Sequence, residues 1–358
     1  MESVYSSVSS EGETGESSRL KFSVIMPCYN SESYVRNAVE SIVNQTYPNW
    51  ELIAVNDGST DGTERLLKEY SKKDGRIQVY SKENGGYISA VNFGLEKLGG
   101  DYFLLLGSDD RLAENLFYEL NKSAVNGLPD CIAFRTVTVQ DGVVRGLDTE
   151  TDFTNEASMF RTTFAAYASA YPSHAAILSG RDTSKCYKRA ILGGLRYFGK
   201  YGYDADGIFS MLLCHNASSF SAIPVDGYFW TLRGDSLSGR KSFFAQDCDR
   251  IENWTTFYRQ LLKHDTAEIT ITEKEYLYYF LDIIGSAWRV SKPFLSQYGL
   301  VRDGLDAIRK MLQKTNGRLS LSFEAKLLLY APVSWKLYTT SSCSPRTFIR
   351  KVKILCKP

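Results

Sequence analysis

A chain of 358 residues, 43% hydrophobic and 23% charged, is long enough to bury a large core and too apolar for disorder in bulk. Its 42 basic and 41 acidic residues leave a net charge of +1, which argues against a dedicated nucleic-acid binder. Seven scattered cysteines with no CxxC pair, and only three histidines, argue against a disulfide framework, structural zinc and a histidine-rich metal site, and they fit a reducing compartment.

Residues 1–20 are polar and acidic, with no basic stretch leading into an apolar one. They read as a disordered tail rather than a signal peptide. The run Phe22 to Met26 predicts a short buried strand ending at Pro27. Tyr34, Val35, Ala38, Val39 and Ile42 then recur at helical spacing. Trp50 to Val55 predicts a second strand, closed by Asn56-Asp57-Gly58-Ser59. Thr60 or Asp61 can cap the helix that carries Leu66, Leu67 and Tyr70. Ile77 to Tyr80 reads as a third strand, the Asn84-Gly85-Gly86 turn leads into a helix through Ala90, Phe93 and Lys97, and Asp101 to Leu106 is a fourth strand closed by Gly107-Ser108-Asp109-Asp110. Repeated strand–loop–helix units predict a layered α/β sheet with helices on both faces, and the polar loops after strands one, two and four share one edge. Ligands of open α/β sheets bind at that edge.

After about Pro129 the pattern changes. Cys131 to Phe134 reads as a strand, Val137 to Val144 as a hairpin turning at Asp141-Gly142, Asp206 to Leu213 as a helix, and Ala222 to Leu232 as one or two strands. From Ser242 onward the chain reads as helical, near 249–263, 272–290, 298–312 and 321–330. Asp282, Arg289, Lys292 and Pro293 argue against a membrane span there. Residues 302–358 carry 12 basic and three acidic residues, either a solvated helical face or a surface drawn to an anionic membrane or polyanionic acceptor.

Acids gathered beyond a sheet make poor core, because a buried carboxylate needs partners. Asp57, Asp109 and Asp110 suit a ligand rich in donors, or a divalent cation such as Mg²⁺ or Mn²⁺ that keeps open positions for phosphate oxygens. Each could instead cap a turn or the following helix. Walker A, GxGxxG after the first strand, and GxSxG are all absent, which weakens P-loop hydrolysis, dinucleotide binding and α/β-hydrolase chemistry.

The stretches SVIMPCYNSESYVRNAVESIVNQTYPNWELIAVNDGSTDGT, ENGGYISAVNFGL and GDYFLLLGSDD stand in the order and spacing of family 2 glycosyltransferases, and residues 22–112 resemble the N-terminal half of that family. The resemblance fades after Ser238. It implies a GT-A type nucleotide-diphospho-sugar transferase fold: a mostly parallel central sheet flanked by helices, with a helical C-terminal extension. The implied division is a tail at 1–20, a catalytic domain at 21–240 (a nucleotide-sugar half at 21–128 and an acceptor half at 129–240) and a helical region at 241–358. The implied activity is inverting transfer of a hexosyl or N-acetylhexosaminyl group from a nucleotide sugar, expected to be UDP-linked, to a hydroxyl of a glycan or lipid-linked acceptor in surface polysaccharide synthesis. A cytoplasmic chain with peripheral membrane contact through its basic C-terminus fits this picture, and a homo-oligomer stays open. No nucleic-acid partner is implied.

By the same resemblance, Pro27, Tyr29, Asn30 and Glu32 lie near the donor nucleotide, and Asp57 accepts a hydrogen bond from its base. Lys82 and Gly86 lie beside the nucleotide, and Asn92 lines the pocket. The family's acidic motif reads Gly107-Ser108-Asp109-Asp110 here, without its first acid, so Ser108 and Asp109 approach the donor while ribose contact is weakened. Asp109 is the first choice as ligand to Mn²⁺ or Mg²⁺, with Asp110 second. The base is matched by Asp206, with Asp204 close by, although Ala205 replaces the usual glutamate. Arg233, in Tyr228-x4-Arg233-x2-Ser236-x-Ser238, can reach the diphosphate, and His174 lies on the acceptor side as a contact or a packing residue. Two alternatives are a non-catalytic carbohydrate-binding or scaffolding protein that keeps the fold, and a nucleotidyltransferase. The second lacks the Gly-rich basic loop it would need after the first strand.

Overall fold

A computed structural model describes residues 20–125, 127–147, 157–161, 182–197, 204–233, 251–256, 302–306 and 308–310. The expected tail, His174, Tyr203, Ser236, Ser238 and most of the expected C-terminal helices lie outside the described residues.

The first half runs β1 (Phe22–Cys28), α1 (Val35–Val43), β2 (Trp50–Asp57), α2 (Thr63–Lys73), β3 (Ile77–Lys82), α3 (Tyr87–Leu95) and β4 (Tyr102–Leu105). It continues with β5 (Arg111–Leu112), α4 (Leu116–Val125), β6 (Cys131–Gln140), β7 (Val143–Leu147), β8 (Ala157–Arg161), β9 (Lys185–Lys188), a 3₁₀ turn at Arg189–Leu192, α5 (Ala205–Asn216) and β10 (Ser219–Leu232). The sheet order is β3-β2-β1-β4-β9-β6-β10-β5, with β7 on β6 and β8 on β10. The first four strands of that order are parallel, as the strand–loop–helix repeats predict. Beyond them β9 runs antiparallel to both β4 and β6, which lets a chain segment far from β4 in sequence reach the same edge.

Alternate residues of the central strands face opposite layers. Val24, Met26, Leu52 and Ala54 pack with α1, α2 and α4, whereas Ile25, Phe103 and Leu105 pack with α3 and α5. Helices therefore cover both faces, and the polar loops are left at the strand ends.

Some local expectations need correcting. β6 is one strand through Arg135 and Thr136, because Arg135 pairs with Asp226 on β10 at 2.7 Å and Thr136 bonds Ser184. Its hairpin turns at Asp141 and Gly142, both at positive φ, which is the two-residue loop geometry. Of the two cap candidates for α2, which starts at Thr63, Asp61 accepts from the Thr63 amide, whereas the Thr60 amide donates to Asn30.

Phe22, fully buried, stacks on Phe117 at 5.4 Å and meets Tyr47 edge-on at 5.7 Å, joining β1 to α4. Phe22→Ala is expected to cost about 3–5 kcal/mol, read as a lower urea midpoint at unchanged m-value. A loss under 1 kcal/mol would show that this aromatic contact does not hold the layer.

Candidate active site

At the carboxyl end of β2, Asp57 is 3% exposed. Its Oδ1 accepts from Lys82 Nζ at 2.6 Å and from the Gly85 amide at 3.0 Å, and its Oδ2 accepts from the Gly86 amide at 2.8 Å. Lys82 is the register partner of Asp57 on β3, so the ion pair follows directly from strand pairing. Gly86, at φ 83°, turns the chain into α3 in a conformation most side chains avoid. The carboxylate therefore shapes the Gly-rich turn. It has roughly four acceptor positions, which leaves room for one further donor.

The loop after β1 is bound to its neighbours. Asn30 Oδ1 accepts from the Thr60 amide at 2.9 Å, Glu32 Oε2 accepts from the Gly62 amide at 2.9 Å, and Ser31 Oγ lies 2.7 Å from Ser108 Oγ. Glu32 thus caps the entry to α2 and also faces Arg65 at 3.3 Å. Tyr29 is 52% exposed at this edge, and Pro27 lies within β1. Cys28 is buried, and burial first, then the charge of Asp109, pushes its thiol far above the usual range, so it has no nucleophilic role.

The acidic turn after β4 is held by β10. Asp110 is 7% exposed; its Oδ2 accepts from the Tyr228 hydroxyl at 2.6 Å and its Oδ1 from the Thr231 amide at 2.7 Å. The Tyr228 oxygen in turn accepts from the Gly107 amide at 3.0 Å. Burial, then the adjacent Asp109 charge, pushes the Asp110 carboxyl up to about 7. A side chain at Gly107 would begin 2.6 Å from Asp110 Oδ2 and 3.0 Å from Asp109 Oδ1, so glycine leaves open a point on which both carboxylates converge. Two hard oxygen donors of like charge fit a divalent cation that draws its remaining ligands from water or phosphate. Asp109 Oδ2 accepts from Arg233 Nη2 at 2.7 Å and Nε at 2.9 Å, and the guanidinium lies 4.2 Å over the Tyr34 ring.

The second group of carboxylates is built on α5. Asp204 sits at its N-cap in the left-handed region (φ 57°) and accepts from the buried Trp254 indole at 3.0 Å, which brings helical segment 251–256 onto this half. Asp206, half-buried in the first turn, has its carboxyl pushed up to about 7 by burial, then by the charge of Asp182. Asp182 is 2% exposed and accepts from the Tyr197 and Tyr87 hydroxyls, the latter at 3.4 Å. Lys185 is 1% exposed, and burial pulls its ammonium down to about 8.

Asn92 fixes a loop. Its Nδ2 donates to the Tyr197 carbonyl at 2.9 Å, and its Oδ1 accepts from the Tyr197 amide at 2.8 Å. The amide expected to line the donor pocket thus also fixes the Tyr197 loop. Asp182, Lys185, Tyr197, Thr231 and Trp254 were not foreseen, nor were the bonds made by Tyr87 and Tyr228, which stand in the quoted motifs. Asp182, Lys185 and Tyr197 lie in a stretch without periodicity and carry only a polar or aromatic signal.

Residues 23–177 match the family model described as Glycosyl transferase family 2. The family 2 segment is 47% identical over 90 residues to the putative teichuronic acid biosynthesis glycosyltransferase TuaG of Bacillus subtilis, covering 25% of this chain and 36% of TuaG. It is 42% identical over 105 residues to glycosyltransferase GlyA of Streptococcus pneumoniae, covering 29% of this chain and 15% of GlyA. The chain thus spans well under half the length of these curated relatives. The fold is that of S. aureus TarS residues 1–349, crystallised with UDP-GlcNAc, at a TM-score of 0.68 and 21% identity over 89% of each chain. The architecture is accordingly the GT-A fold. Among the described residues no helix is long and apolar enough to cross a membrane.

Because Asp206 holds its proton in the folded state up to about pH 7, where the unfolded carboxyl (ordinary value 3.8) has lost it, it contributes stability that is lost as pH rises through that window. The Tm should therefore fall less between pH 5 and 8 in Asp206→Asn than in the unsubstituted chain. Parallel Tm curves would contradict the assignment.

Proposed function

We propose that this chain is an inverting glycosyltransferase that moves a sugar from a UDP-linked donor to a hydroxyl of a surface glycan or lipid-linked acceptor. The observation that carries the reading is Tyr87, whose hydroxyl lies within electrostatic reach of Asp110 on one side and of Asp206 and Asp182 on the other. We read the acidic turn and the carboxylate on α5 as facing one cleft, with Tyr87 between them. The UDP-GlcNAc bound to TarS supports a UDP donor. TuaG and the minor teichoic acid biosynthesis protein GgaB of B. subtilis, 48% identical over 99 residues, support a cell-surface polymer as acceptor. In this reading residues 21–240 form the catalytic unit, and the helical region at 241–358 reaches it through Trp254.

The nucleotide lies along the ends of β1, β2 and β4. Tyr29 offers an exposed ring there, Asp57 offers its remaining acceptor position to an imide N–H of the base, and Gly86 keeps the turn open. Pro27, Asn30, Glu32, Lys82 and Ser108 hold the loops that frame it, with Lys82 held on Asp57. Asp109 and Asp110 would hold a Mn²⁺ or Mg²⁺ ion, which supplies charge neutralisation to the diphosphate when bound. Asp206 takes the proton of the acceptor hydroxyl as its oxygen attacks the anomeric carbon. The new C–O bond forms on the face opposite the breaking bond to phosphate, so the centre inverts, and the diphosphate leaves with the electron pair. Arg233, beside Asp109, offers its guanidinium to the departing charge. Asp204, bonded to Trp254, orients the helix start and is the weaker candidate for the base.

Calorimetry with UDP should show binding in Mn²⁺ that is lost with EDTA and in Asp109→Ala. Binding indifferent to both changes, or none at all, would contradict the donor site. With UDP-GlcNAc as donor, Asp206→Asn should lower turnover by about 10²–10⁴-fold while leaving donor affinity unchanged. UDP binding with no turnover by the unsubstituted chain, across UDP-sugars, would favour the carbohydrate-binding alternative.

A further inference from the structure

The buried charges beneath Asp206 are not used by the transfer step itself. Lys185, on β9, is an ammonium with 1% exposure, within electrostatic reach of both Asp182 and Asp206. Asp182, just before β9, is fixed by the Tyr197 and Tyr87 hydroxyls, and Tyr197 is itself fixed by Asn92 and by stacking on Phe209 of α5 at 4.1 Å. Among the described residues, the titratable groups around this centre are Asp204, Asp206 and Cys214 from α5 and its cap, Cys131 and its neighbour Asp130 at the start of β6, Tyr187 on β9, Tyr87 on α3, and Asp182 and Tyr197 from the connecting loops. Lys185 is the cation that balances the two carboxylates there.

We propose that Asp182 and Lys185 are positioning residues for Asp206, two buried groups of opposite charge that set the charge of that carboxylate from beneath α5. The proposal rests on the reading of Asp206 as the base. Two carboxylates facing each other away from water do not both ionise readily. Asp182, held by two hydroxyl donors, keeps its charge more easily than Asp206, so without Lys185 the shared proton settles on Asp206 and the base is lost. Without the Asp182 charge, Asp206 faces Lys185 alone and ionises more readily. The two residues therefore act on the base in opposite directions, which a merely structural role would not produce.

The test is a carboxyl ¹³C NMR titration of the full chain, with the Asp206 signal identified by its loss in Asp206→Asn. Relative to the unsubstituted chain, the Asp206 midpoint should rise by about one pH unit in Lys185→Met, fall by about one in Asp182→Asn, and stay close in Lys185→Arg. The acid limb of UDP-GlcNAc hydrolysis should follow the same order. Midpoints that do not move, or that move the same way in Lys185→Met and Asp182→Asn, overturn the proposal. If Lys185→Met does not fold, the fall in Asp182→Asn and its absence in Lys185→Arg decide the matter. Midpoint shifts together with an Asp206→Asn variant that hydrolyses UDP-GlcNAc normally would overturn the base reading, and with it the positioning role, while leaving the buried pair intact.

Discussion

Asp110 is a carboxylate taken out of water at the end of a parallel strand, and such a group must be given partners or lose its charge. β10 supplies them. The Tyr228 hydroxyl and the Thr231 amide take one oxygen each, and the Tyr228 oxygen also receives the Gly107 amide, so the turn after β4 is fastened to a strand more than a hundred residues away in sequence. Register does the rest. Leu112 pairs with Tyr228 and Arg111 with Phe229, which fixes where β10 ends and therefore where Arg233 emerges against Asp109. This contact leaves the acidic turn after β4 and the end of β10 little freedom relative to each other.

The same economy governs the rest of the edge. Asp57 holds the Gly-rich turn, Glu32 caps α2 from across a loop, and Asn30 binds the loop after β1 to the loop after β2. These three polar side chains, each expected to meet a ligand, also satisfy backbone amides that the loops expose. Preorganisation follows, since loops bound to one another by their own ligand-facing residues lose little further freedom when a donor arrives. Around Asp206 the logic is electrostatic. Asp206 is half-buried, its carboxyl is pushed toward neutrality, and a buried lysine and a second buried aspartate balance against each other beside it.

The parallel half of the sheet was legible because its strands are continuous apolar runs, from Phe22 to Met26 and from Trp50 to Val55, separated by helices whose apolar residues repeat at helical spacing. The acids at the strand ends were legible for the opposite reason, as charges where a core would otherwise continue. What sequence could not show was pairing across distance. Nothing near Asn92 in sequence shows that the Tyr197 backbone, 105 positions away, bonds both ends of its amide. Asp182 and Lys185 stand in a stretch with no periodicity, and only the antiparallel insertion of β9 between β4 and β6 brings them under α5. β6 was divided at Arg135 because a charge mid-strand reads as a break, whereas Asp226 on the neighbouring strand neutralises it.

The central claim is that the loops after β1, β2 and β4 and the Gly-rich turn before α3 form one nucleotide site. Hydrogen–deuterium exchange of the full chain with and without UDP and Mn²⁺ tests it most directly. The account predicts slowed exchange concentrated at residues 28–32, 57–59, 84–87 and 107–110, with the outer helices α2 and α4 unchanged. Protection confined to other segments, or none at nucleotide concentrations that saturate binding, would contradict it.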